Sequence, residues 1–149
     1  MKIRPHKIGA IFYILWGVIH IMVGGAFLHA AVSGGVPAVL ALSDVTVPTQ
    51  EFPGLLRGLL AQHGWNIVWA GLVAATVGAT MNWRNSRAGY WANLVVVSAF
   101  ELGLVFAVIV PGHVGLSGVL IGPIIWVMAV VFSTLGIRAT VRSATRTNS

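Results

Sequence analysis

Two ionisable residues stand where a chain rarely keeps any. His20 interrupts the apolar run "YILWGVIHIMVGG", and Glu101 interrupts "VSAFELGLVF". Paired, an imidazole and a carboxyl can pass a proton to and from a substrate as general acid and base. An apolar site could hold both neutral, whereas proximity favours the ion pair. The two would titrate as one coupled unit. Counting along their runs puts both near the midpoint, at one depth. The expectation is a His20–Glu101 pair facing the interior of a helix bundle, made directly or through water.

The neighbours on the helical wheel suggest what the pair would act on. At about 100° per residue, Tyr13, Trp16, Gly24 and Phe27 fall within about 40° of His20. Glu101 shares a face with Tyr90, Leu94, Val105 and Val108, with Asn93 and Ser98 on its shoulders. Aromatic walls around a few polar groups describe a pocket for a small hydrophobic ligand. Tyr13, Trp16, Phe27 and Ser98 would line it. His63 and Asn66, one turn apart and followed inward by Ala70 and Ala74, would form its polar mouth. The same aromatic stripe would equally suit an ordinary core.

A second group of chemical residues lies at the opposite ends of the runs. His29, His63 and His113 fall at one level, and three imidazoles could bind Zn²⁺ or Cu²⁺. Histidine also belongs naturally at a membrane interface, and His29 points away from the His20 face. A bis-histidine haem needs two histidines at one depth, and only His20 is deep. No phosphate loop, catalytic triad or metalloprotease motif occurs, and there is no cysteine. The cofactor stays unknown.

These residues need elements to hold them. Of 149 residues 57% are hydrophobic and only 8% charged, with a mean hydropathy of +0.89. A soluble domain carries about a quarter charged residues. Four apolar runs are each about as long as the 20 residues that cross a bilayer core. They are expected at about 8–31, 64–82, 90–110 and 115–137, with a long outer loop at 32–62. The first run is too long for the apolar part of a cleaved signal peptide. Pro37, Pro48 and Pro53 break the loop into pieces. One piece, "PGLLRGLLAQHG", reads as a helix that lies at the surface or extends the second span, and the loop as a cap over a cavity.

The net charge of +6 does not mean nucleic acid. Lys2, Arg4, Lys7, Arg84, Arg87, Arg138, Arg142 and Arg146 all flank one side of the four runs, and Arg57 alone lies elsewhere. Cytoplasmic flanks carry the cations, so both termini are expected in the cytoplasm and the chain in the cell's inner (cytoplasmic) membrane. The basic flanks would touch anionic lipid headgroups. Ala10, Gly17, Gly24 and Ala31 recur every seven residues, and Gly118 and Gly122 form a GxxxG pattern. Small residues let helices approach closely, within the chain or in a homo-oligomer.

The fold class expected is therefore an all-α integral membrane bundle of four transmembrane helices in a single domain. Three functions fit it. The first is binding of a lipophilic molecule, with proton-transfer chemistry at the pair. The second is a proton-coupled small transporter or channel acting as an oligomer. The third is an accessory membrane subunit in which the pair only fixes helix register.

Overall fold

The computed structural model describes residues 4–42 and 54–147. It is all-helical across these residues. Helix α1 covers Pro5–Ala41, α2 Gly54–Thr80 and α3 Arg87–Leu104. The last runs on as a wider π turn, Val105–Ile109. A short α4, Leu116–Val119, precedes α5, Ile121–Thr147. The four long helices are each long and apolar enough to cross a membrane, as a multi-pass membrane protein requires.

The distribution of side chains fits lipid outside. Met22, Val95, Phe106 and Leu15 are exposed, as are Trp65, Trp69 and Trp91. The interior holds small residues: Ala10, Ala31, Ala70, Ala74 and Ala129 are buried. A soluble bundle would be the reverse. Lipid is as apolar as leucine, so such helices associate by close packing of small residues.

Close backbone packing joins α1 to α2. Gly17 faces Gly71, and Gly24 faces Gly64. A Cβ added at Gly17 would lie 2.5 Å from the Gly71 carbonyl oxygen, and one at Gly24 would lie 2.8 Å from that of Gly64. Gly78 sits against Ala10 and Tyr13. One antiparallel register runs through these pairs, each seven residues from the last. The stripe seen on α1 thus meets a matching one on α2, Gly64-Gly71-Gly78.

The next step in that register is Ala31 against Arg57. Here Arg57 Nε donates to the Ala31 carbonyl at 2.9 Å, and its terminal nitrogen donates to Val32 O. The reason lies just beyond. Gly35 has φ +67°, ψ −157°, inside the α1 span and two residues before Pro37. Only glycine adopts this backbone without strain, and proline has no N–H to give the helix. The kink disturbs the ladder of α1, and the guanidinium serves the carbonyls beside it. Val39, beyond the kink, packs with Ala30 and Ala31 in a cluster joined by Leu60 and Ala61. The expected outer loop, 32–62, is thus helical over 32–41 and 54–62. "GLLRGLLAQHG" is continuous with the second span. Pro48 and Pro53 lie outside the described residues.

Arg57→Gln should lower stability by about 1–2 kcal/mol, since hydrogen bonds from a charged donor contribute more than neutral ones. The unfolding midpoint in detergent reads this, and amide exchange should quicken first at residues 33–39. Unchanged exchange there would show that the kink needs no arginine.

At the other end of the bundle a compact turn joins α2 to α3. Asn82–Arg84 form one 3₁₀ turn, and Asn85 takes the left-handed conformation, φ +56°. Asn85 Nδ2 then donates to Gly136 O at 3.2 Å and Thr140 Oγ1 at 2.8 Å on α5. Ser86 caps α3 by accepting from Gly89 N–H. Asn93, fully buried, donates to Ala74 O at 3.2 Å and to the Asn82 side chain at 3.0 Å. Four helices meet in one core of Tyr13, Trp16, Ala70, Ala74, Val97, Ile125 and Ala129.

The fourth span differs from the expected continuous helix at 115–137. Gly118, inside α4, has φ +88°, and the helix is interrupted two residues later, between α4 and α5. Pro123 falls in the first turn of α5, where its missing N–H does no harm. The GxxxG pattern therefore straddles a break and makes no stripe. Gly122 contacts the bundle interior, at Glu101.

Candidate functional site

The site is built from α1, α3 and α5. Trp16 and His20 are one turn apart on α1, so their side chains share a face. Their rings stack, with centroids 3.6 Å apart and an interplanar angle of 19°. Glu101 enters from α3. Its side chain is 1% exposed, and that of His20 is 16% exposed. Gly122 of α5 closes the far side, where a Cβ would lie 2.7 Å from Glu101 Oε1. Phe100 meets the Trp16 ring edge-on at 6.4 Å.

Oε1 of Glu101 is the hub. Trp16 Nε1–H donates to it at 2.5 Å, and His20 Nε2 lies 3.7 Å away. The other oxygen, Oε2, is buried and has no hydrogen-bond partner among the described residues. The histidine tautomer follows from geometry. His20 Nδ1 lies 2.8 Å from the Trp16 carbonyl oxygen. A carbonyl only accepts, so Nδ1 carries the hydrogen. In neutral His20 the lone pair is then on Nε2, and it faces Oε1. Two bare acceptors so placed would repel in a low-dielectric interior. A proton held by one of them removes the repulsion. It sits on Glu101 in the neutral pair and on His20 in the ion pair. At 3.7 Å the gap exceeds a hydrogen bond, so transfer needs a small approach of the two groups.

The other sequence candidates divide. Tyr13 is fully buried beside Trp16 in the core, and its hydroxyl also has no partner among the described residues. Ser98 accepts from Trp126 Nε1 at 3.0 Å, tying α3 to α5. Phe27 belongs to the cluster near the kink and meets the His63 ring edge-on at 5.8 Å. His63 and Asn66 are exposed. Among the described residues no hydrogen bond, ion pair or ring contact joins Phe27, His63 or Asn66 to His20 or Glu101. His29, His63 and His113 are exposed, and no group of three metal-ligating side chains assembles among the described residues.

Two members of the site escaped the sequence reading in their actual roles. The sequence suggests an apolar wall at Trp16, and the structure shows its N–H donating to the carboxyl. Its position four residues before His20 was the available signal. Gly122 was expected as a helix contact, and it makes room for the carboxyl itself. The chain matches no family model, no curated protein and no solved structure.

Proposed function

We propose that this is a multi-pass protein of the cytoplasmic membrane that binds a small lipophilic molecule within the bundle and exchanges a proton with it at Glu101–His20. Both termini and the α2–α3 turn lie on the cytoplasmic side, and the α1–α2 connection lies outside. What supports the orientation is the charge pattern. Arg4, Lys7, Arg84, Arg87 and Arg138 gather at one end of the bundle, and Arg57 at the other is engaged by helix carbonyls.

The observation that carries the chemistry is Glu101 Oε2, which has no hydrogen-bond partner among the described residues. A buried acceptor without a donor costs about 1–3 kcal/mol, and a membrane interior makes it worse. A ligand with an apolar body and one donor group, such as a phenol or an amine, would satisfy it. The shared proton beside it gives the pair something to exchange.

The test is thermal stabilisation of the purified protein by 4-octylphenol and octylamine, with octane as the apolar control. Ligand at a hundredfold excess over Kd adds about 2.7 kcal/mol, which moves the midpoint by several degrees. Stabilisation by the phenol or the amine but not by octane, lost in Glu101→Gln, is the expected result. An equal response from octane, or from the Gln variant, would overturn the reading and leave the pair as a device for helix register.

A further inference from the structure

The end of the bundle that holds the α2–α3 turn has a cavity of about 380 Å³. This lies in the range of small-ligand clefts, about 300–1,000 Å³. Three elements converge on it. Arg4 and Lys7 come from the start of α1, Trp83 and Arg84 from the 3₁₀ turn, and Thr140 from α5. The back wall is fixed: Asn85 is held to Gly136 and Thr140, and His6 packs against Gly136. Lys7 Nζ lies over the Trp83 ring, 4.9 Å from its centroid.

The cations lining this cavity have no anionic side chain beside them among the described residues. Among the described residues the one carboxylate side chain is Glu101, buried in the middle of the bundle. Arg4, Lys7 and Arg84 therefore line the cavity with like charge. The start of α1 adds to the imbalance. Arg4 is its N-cap and makes no side-chain capping bond, and the positive end of a long helix favours an anion, not a cation. Trp83, exposed, is a residue type that marks the headgroup level of a membrane.

We propose that this cavity is a binding site for a phosphate group at the membrane surface. Arg4, Lys7 and Arg84 hold the phosphate oxygens, guanidinium groups being suited to bidentate contact, and Trp83 flanks it. Asn85 and Thr140 position the wall and do not bind. The site differs from a diffuse basic surface in that three particular cations act together. It is independent of the Glu101–His20 reading, which concerns the middle of the bundle. A lipid headgroup and free phosphate share the required chemistry.

The experiment is native mass spectrometry and thermal shift on the full-length protein in neutral detergent at low salt. The probes are dioctanoyl phosphatidic acid, dioctanoyl phosphatidylcholine and inorganic phosphate. One phosphatidic acid should bind per chain, and the zwitterionic lipid should bind at least about tenfold more weakly. Lys7→Gln/Arg84→Gln should weaken phosphatidic acid by about tenfold or more, on a scale of roughly 1 kcal/mol per cation. Arg87→Gln/Arg138→Gln removes the same charge outside the cavity and should change binding less than about twofold. Displacement by inorganic phosphate assigns free phosphate as the ligand, and its failure to displace assigns the lipid. If the first double variant does not fold, Arg4→Gln carries the comparison. Equal weakening by both charge-matched pairs, or equal binding of both lipids, would overturn the proposal.

Discussion

Gly17→Val should destabilise the protein by about 3 kcal/mol, at the upper end of the usual cost of overpacking. The new side chain would meet the Gly71 carbonyl and the Ala75 amide, both backbone. A flexible side chain could turn aside, but the spine of α2 cannot. The helices must part, and the contacts at Gly24–Gly64 and Gly78–Ala10 weaken with them because all share one register. Gly71→Val should behave alike, since its Cβ would meet the Gly17 carbonyl at 2.6 Å. Gly25→Val is the control. Nothing lies within 4 Å of a Cβ there, and a change without a partner should stay within about 0.5 kcal/mol. Unfolding midpoints in one detergent decide the matter. Equal losses at Gly17 and Gly25 would mean that helix propensity, not the α1–α2 contact, sets the cost.

The second large effect is on the shared proton. In Glu101→Gln the carboxamide oxygen can still accept from Trp16, but no proton can be exchanged with His20. An infrared pH titration should therefore lose the bands of one buried carboxyl while the fold stays. His20→Gln should keep that carboxyl and change the pH at which it titrates, because the two groups act as one unit. Glu101→Leu separates structure from chemistry. It leaves the Trp16 N–H without an acceptor, at a cost of about 1–3 kcal/mol, so it should be less stable than the Gln variant. A carboxyl titration indifferent to His20→Gln would end the shared-proton account, whatever the stabilities.

Much of this is legible in the amino-acid sequence. The four long helices follow from apolar runs that a bilayer requires. The meeting of His20 with Glu101 follows from depth alone, because counting residues along a helix fixes height and charges within spans are few. What could not be read was which polar tip an aromatic presents. The wheel put Trp16 on the His20 face, but a wheel does not show its N–H reaching across to α3. The Gly64-Gly71-Gly78 stripe had the same spacing as that on α1, and only their juxtaposition gives either one meaning. Gly35 and Gly118 were hidden for another reason. Glycine takes positive φ as readily as negative φ, so the sequence does not show which is used. Pro37 marks a loop in the sequence, and the structure has a kinked helix there with Arg57 on its carbonyls. The GxxxG pattern reads as a helix contact, and the helix is broken within it. Phe27 shares the angular face of His20 but meets His63 nearer the kink, because a shared face says nothing about separation along the axis.

The placement of the site on α1 and α3 has a consequence for how the protein is made. Chains emerge N-terminus first, so Trp16 and His20 are synthesised and can enter the membrane before Glu101 exists. A lone carboxyl in a membrane span is costly to insert. Here its donor and its proton partner come earlier in the chain, on a helix already tied to α2 by the glycine ladder. Glycine at position 122 arrives last and closes the carboxyl in. In the reverse order, the acid would have to wait in lipid for its partners.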